Sequence, residues 1–409
     1  MNTATLDFIR THTHDDVREL ALRKVPAEVD LRSALTQIEG RQLAVHKLPS
    51  WAAADGLLFP PRLSLEQCSS EATALYKRQV VERLVRGSDA DGCDAEDKGG
   101  AEDAFADFTA GFGVDFAAIA PLFSYTTFVD RQEVLCDLAR HNLPLLGLPH
   151  ARVCCSSAEE ELDTLIKESK RQRVAMIDPA RRDAAGRKVA LIEDCTPDVC
   201  GLQEKLRSVA DFVLIKLSPM LDLTAALRSL RGIAEVHVVS VGGECKELLM
   251  VMIQKQVSET IIHCIDLPGE PFVFTRMEEE SSKPLIVEGF DEYLYEPNAS
   301  LLKAGAFNTI CWRYAVSKLA YNTHLYTSSH LIPDFPGRRW RVIDSASFAK
   351  KDLRRLLANV PAADISVRGF PTSAATLRKQ LGLREGGAVH LIATTLSDGS
   401  RILLKVERA

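Results

Sequence analysis

Nowhere does this 409-residue chain approach the roughly 18 consecutive apolar residues of a membrane span, and its start, MNTATLDFIRTHTHDD, lacks the basic and apolar regions of a secretion signal. The expected location is the cytoplasm, with no membrane partner. Ten cysteines are scattered without a CxxC pair or a tight Cys/His cluster, so no metal site is expected and most thiols should be small core residues in a reducing compartment. The acidic stretch within residues 87–103 does not have the spacing of an EF-hand and reads as a flexible surface loop. What remains is ordinary globular composition, 46% hydrophobic and 26% charged. A chain this long exceeds a single small module and should divide into two to four domains, at about 100–200 residues each.

The formal charge of -6 hides an asymmetry: residues 341–409 hold twelve Lys/Arg against six Asp/Glu, a local +6, so residues 1–340 carry -12. A net-acidic body argues against wholesale wrapping by nucleic acid. A basic terminal module is nonetheless a fair electrostatic footprint for a phosphate backbone, the alternative being a solvated basic surface.

Residues 1–62 read as helical pieces joined by loops. Ser64 opens a strong helix signal, because S-L-E-Q from Ser64 to Gln67 has the form of a capping box, and that helix should run to about Arg86. From residue 104, short apolar runs alternate with helical periods, the pattern of βα units around a parallel sheet. Seven strands are expected, at 104–109, 125–130, 151–156, 173–178, 211–218, 234–241 and 260–267. The fold class is therefore α/β, Rossmann-like and doubly wound. A strand-rich section with one helix around LLKAGAFNTICWRYAVSKLA follows, and residues 340–409 have the β-α-β-α-β-β order of a small α+β sandwich.

DFTAGFGVD, from Asp107 to Asp115, follows a strand and opens a helix, so Gly111 and Gly113 let the backbone approach a ligand with free N–H groups. Asp130, nineteen residues after Gly111, ends the next strand, where doubly wound nucleotide sites place the acid that pairs with ribose hydroxyls. A nicotinamide dinucleotide wants GxGxxG, but the third glycine position is Phe116. Lys216, at the end of the fifth strand, should lie in the same carboxyl-end crevice, either as a site cation or as a paired buried lysine.

The glycine loop resembles that of class I S-adenosylmethionine methyltransferases, whose D-x-x-x-G-x-G is matched by Asp107, Gly111 and Gly113. The fourth strand ends MIDPARRD, with Asp178 and Pro179 where that superfamily carries its acceptor-site motif. More closely, PPRLSLEQCSSEATALYKRQ, DPARRD, VLIKLSPMLD, VSVGGECKELL, YEPNASLLKAGAF and ISVRGFPTSAATLRKQLGL resemble a bacterial group of methyltransferases with a THUMP-like C-terminal domain. The resemblance implies an N-terminal helical segment (1–62), a methyltransferase domain (63–270), a ferredoxin-like segment (271–335) and a THUMP-like basic domain (336–409). It implies S-adenosyl-L-methionine as cofactor, held by Asp107, Thr109, Gly111, Gly113, Asp130 and Ser156. It also implies an acceptor mouth of Asp178, Pro179, Arg181, Arg182 and Lys216, and a base of structured RNA as acceptor. DPARR lacks the aromatic of DPPY enzymes, the region past strand three reads CCSSAEE without the usual adenine-binding acid, and the end of strand five offers no cysteine nucleophile. Cys195, the nearby thiol, reads as packing. The alternatives are a methyltransferase for a small molecule or a protein, and an inactive RNA-binding protein that keeps the cofactor fold. Oligomeric state is left open.

Overall fold

The computed structural model describes residues 1–90, 101–168, 170–181 and 191–409; the centre of the acidic loop and Arg182 lie outside them. The chain forms two compact units, Met1–Glu235 with Glu247–Ser258, and Val236–Lys246 with Glu259–Ala409.

In the first unit, β1 (Ala101–Asp107), β2 (Tyr125–Asp130), β3 (Arg152–Cys155), β4 (Arg171–Ile177) and β5 (Ala210–Leu217) run parallel in the order β3-β2-β1-β4-β5. Apolar runs buried on both faces need crossover helices between parallel neighbours, and those helices are present. Register sets Asp107 against Phe128 of β2 and Met176 of β4, and Ile177 against Ile215 of β5. Asp107, Asp130, Asp178 and Lys216 thus all come to one edge of the sheet, the carboxyl ends of its strands.

One strand lies beyond those expected. β6 (Ile233–Val241) is followed after two residues by β7 (Glu244–Ile253), and β7 pairs antiparallel with β5. The connection is Gly242–Gly243, with φ of +61° and +81°, the backbone a two-residue hairpin turn requires and glycine adopts without strain. The strand expected at 260–267 is present as β8 (Ile261–Leu267), which pairs antiparallel with β9 (Phe272–Thr275); β7 is the strand that was not expected. Gly-Gly between two apolar runs was the hairpin signal for β7.

The helix expected from Ser64 is two helices, Arg62–Gln67 and Glu71–Ala90. Ser64 lies inside the first, and the side-chain cap of the second is Ser70, whose Oγ accepts from the Thr73 N–H at 3.3 Å. Residues 68–70 form the break. The N-terminal helices are not idle: Phe112, between the two loop glycines, is buried against Trp51 and Phe59, with ring centroids at 4.9 and 6.1 Å. Phe116, in the position a dinucleotide motif gives to glycine, is fully buried and packs on Phe105 and Phe128 at 5.6 and 5.5 Å.

In the second unit, β10 (Tyr293–Pro297), β11 (Ser317–Lys318), β12 (Tyr326–Ser328), β13 (Gly337–Ser347), β14 (Asp364–Arg368), β15 (His390–Thr395) and β16 (Arg401–Arg408) form a sheet ordered β11-β12-β10-β13-β16-β15-β14. The single helix expected within 301–320 is two short ones, Ala299–Ala304 and Thr309–Tyr314. Gly305, left-handed at φ +82°, ends the first, and the Glu279 carboxylate accepts the N–H groups of Phe307, Asn308 and Thr309 that start the second. The tail has the expected β-α-β-α-β-β order. Its helices Lys350–Leu356 and Ala374–Leu381 bury Leu356 and Leu377 with Leu391, Ala393 and Leu403 in one cluster, while Ile392, Leu404 and Val406 point the other way, onto Leu294 and Trp340. Both helices therefore cover the same face of the sheet.

Candidate cofactor and acceptor cleft

A cleft of about 300 Å³ opens at the carboxyl edge of the first unit's sheet. Of the residues expected to form the site, Asp107, Thr109, Gly111, Asp130, Ser156, Asp178 and Lys216 line it. Gly113, Pro179 and Arg181 do not, although each adjoins a residue that does, and Arg182 lies outside the described residues.

The glycine loop is held in shape from both sides. Gly111 sits at φ +60° and donates its N–H to Asp130 Oδ2 at 3.0 Å; Asp130 Oδ1 accepts from the Gln132 N–H at 2.8 Å. Gly113 sits at φ +86°, and a Cβ there would lie 3.1 Å from the Phe128 ring, so the close approach of loop to sheet needs glycine. Asp107 accepts from the Thr109 N–H at 3.0 Å, and the Thr109 hydroxyl accepts from the Asp178 N–H at 2.6 Å, tying the ends of β1 and β4 together. Burial pushes Asp130 above the usual carboxylate range and Asp107 well above it, against the pull of those N–H donors. A carboxylate has room for about four hydrogen bonds, so Asp130 keeps capacity toward the cleft. The Ser156 hydroxyl is committed to Glu160 at 3.0 Å, within the capping box that Ser157 and Glu160 close.

Lys216 is resolved as a paired lysine. Its ammonium bonds Asp178 Oδ2, and although burial alone would lower its pKa, the carboxylates of Asp178, Asp115 and Glu247 raise it. Asp178 is thereby held beside a cation that takes its Oδ2. Cys195 is buried, its thiol pushed up by burial and aimed at the Leu191 carbonyl, which is a packing role.

The sequence reading missed two features. The first is that the break at 68–70 brings Gln67, Cys68 and Ser69 into the cleft, together with Thr196 and Pro197 on the far side. The second is a buried ion network beneath it. The Lys77 Nζ, with no solvent exposure, lies 3.0 Å from Asp115 Oδ1 and 2.7 and 2.8 Å from the two oxygens of Glu247, and Ser69 donates to Asp115 at 2.6 Å. Burial pushes both acids up, but Lys77 and Lys216 hold Asp115 below its ordinary pKa, while for Glu247 burial wins and the pKa is raised. A signal existed: Lys77 falls on the stripe of Thr73, Val80, Val81 and Leu84 that the helix buries or half-buries.

Loop, ribose-type acid and carboxyl-edge cleft fit an adenine nucleoside cofactor, with the glycine backbone open to close approach of a ligand and Asp130 the acceptor. Comparisons with known proteins bear on which one. A profile described as a ferredoxin-like domain matches residues 293–336, and one described as THUMP domain-like matches residues 337–408. Over 297 residues, 72% of this chain and 78% of the relative, the chain is 25% identical to an uncharacterised S-adenosylmethionine-dependent methyltransferase of Mycobacterium tuberculosis strain CDC 1551, with the same figures for its counterpart in strain H37Rv. The crystal structure of a candidate methyltransferase from Porphyromonas gingivalis W83 is 34% identical and superposes with a TM-score of 0.84, covering 99% of this chain and 98% of that one.

Replacing the buried lysine tests the ion network directly. Lys77→Met would leave Asp115 and Glu247 buried without their cation, a change that costs about 3–5 kcal/mol. Urea unfolding should register a loss of that size, partly restored in Lys77→Met/Glu247→Gln; a loss under about 1 kcal/mol would mean the acids are hydrated.

Proposed function

The chain belongs to the family of S-adenosylmethionine-dependent methyltransferases with a THUMP-like C-terminal domain, and from that premise we propose that it methylates a base of a structured RNA. Relatives over most of the chain's length support the enzyme and its cofactor. The observation that carries the RNA reading is the basic face of the tail. Lys350, Lys351, Arg354 and Arg355 ride on one helix and Lys379 on the other, all exposed, and both helices lie on the same side of the sheet. Not all of this charge is spare. Arg355 is committed to Asp344 at 2.7 Å, and Arg378 is half-buried with Glu385 at 3.4 Å. The remaining exposed cations suit a phosphate backbone better than any small metabolite.

In this reading Asp107, Thr109, Gly111, Gly113, Asp130 and Ser156 surround the cofactor, which when bound supplies an electrophilic methyl group. Asp178 Oδ1 accepts a hydrogen bond from an N–H of the acceptor base and so fixes its orientation, which is most of what a transfer of this kind asks of a protein. Lys216 pairs with the other oxygen of that carboxylate. Pro179 stiffens the turn, and Arg181 offers a forked donor to a phosphate of the acceptor; the same role is proposed for Arg182, which lies outside the described residues.

The division between cofactor and acceptor residues separates in two variants. Asp130→Ala should weaken S-adenosylhomocysteine binding about ten- to hundredfold by calorimetry, the worth of roughly 1.5–3 kcal/mol for a hydrogen bond to a charged group. Asp178→Ala should abolish methyl transfer to RNA while cofactor affinity stays within about a factor of three, because a contact made only with the acceptor does not enter cofactor binding. Unchanged binding in the first, or a large loss in the second, would reverse the assignment.

RNA affinity should fall steeply with salt, with a log–log slope of about 0.7 per phosphate neutralised on a single strand. Replacing Lys350, Lys351 and Lys379 together by Ala should lower affinity and reduce the slope by about 2. An unchanged affinity and slope would reduce the basic face to a solvated surface.

A further inference from the structure

The second unit contains a cleft of about 640 Å³ near the carboxyl ends of β6, β10 and β14, apart from the two basic helices. Its polar side chains fall into two sets. One is spent inside the protein. Glu296 holds the Trp340 indole N–H at 2.9 Å and Arg368 at 2.7 Å, Asn298 accepts from the Leu301 N–H and the Ser300 hydroxyl, and Asp266 accepts from Ser240.

The other set is unspent. Among the described residues, the Arg338 guanidinium and the Asn322 carboxamide have no hydrogen-bond or ion-pair partner, and His324 Nδ1 is buried without one. A buried ring nitrogen left unpaired is costly, and a ligand atom bonded to it would remove that cost. His324 is held: its ring stacks on Phe307 with centroids 3.7 Å apart, and the neighbouring Thr323 packs so closely on Gly369 that a Cβ there would fall 2.2 Å from the Thr323 Oγ1. Burial and the nearby Lys318 lower the His324 pKa, so it offers a donor or acceptor and not a charge.

With Arg368 committed, the free cation of the cleft is Arg338, a planar fork that matches the oxygens of a phosphate. A carboxamide and a neutral ring nitrogen beside it match the donor and acceptor edge of a nucleobase. We propose that this cleft binds a single nucleotide, its phosphate on Arg338 and its base edge on Asn322 and His324. The nucleotide comes either from an RNA strand, which rests on the RNA reading above, or from the free mononucleotide pool.

The test is calorimetry on the full-length protein with each of the four ribonucleoside 5′-monophosphates and with a single-stranded RNA hexamer. At least one of these probes should bind, and Arg338→Gln and Asn322→Ala, made separately at exposed positions, should each weaken it tenfold or more without changing S-adenosylhomocysteine affinity. A hexamer bound at least tenfold tighter than any mononucleotide assigns the site to RNA; equal affinities assign it to the free nucleotide. No binding by any probe up to millimolar concentration, or full affinity in both variants, overturns the proposal. Hexamer binding that falls in the Lys350/Lys351/Lys379 triple variant but not in Arg338→Gln overturns the cleft and leaves the RNA reading intact. Mononucleotide binding lost in Arg338→Gln, in a protein that binds no RNA, sustains the cleft and removes the RNA reading.

Discussion

Lys77 is the residue on which the first unit turns. Its ammonium, wholly out of solvent, joins the helix Glu71–Ala90 to the glycine-loop helix through Asp115 and to the antiparallel β7 through Glu247. Those partners are 38 and 170 residues away in sequence. A buried charge tolerates little displacement, since moving it from its partners exposes the full desolvation penalty. The network therefore fixes the floor of the cleft more sharply than apolar contacts would. Lys216 repeats the arrangement on a smaller scale, with Asp178 as its carboxylate and the cleft above it. Each lysine is paired with at least one carboxylate, and burial raises the pKa of Asp107 and Glu247. That balance lets several acids and two lysines share one basin.

Around this floor, the glycine loop is a three-sided construction. Asp130 grips Gly111 from β2, Phe128 packs under Gly113, and Phe112 between them is buried against Trp51 and Phe59 of the N-terminal segment. Helices that carry no chemistry of their own thus hold the loop that does.

Local signals were legible in the sequence. Strand ends at Asp107, Asp130, Asp178 and Lys216 follow from apolar runs punctuated by acids and glycines, and the β-α-β-α-β-β tail follows from alternating periods. The errors share a physical origin. Ser64 heads a sound capping-box pattern, but side chains of a helix that breaks at 68–70 reach the cleft, and tertiary packing outranked the local cap. β7 is missing from the expected strands, although Gly242–Gly243 between two apolar runs announces a hairpin. Lys77 and Glu247 are a pairing at a separation that no pattern of spacing encodes. Within 301–320, the apolar content suggested one helix where Gly305 ends it after a turn and a half.

The central claim is that the cleft serves an RNA base delivered by a basic module of the same chain. The most direct measurement is mass spectrometry of nucleosides from the RNA of cells with and without the gene. The account predicts that one methylated nucleoside disappears without the gene, returns with the wild-type protein and does not return with Asp178→Ala. Identical nucleoside inventories in the two strains, under conditions where the protein is expressed, would contradict it.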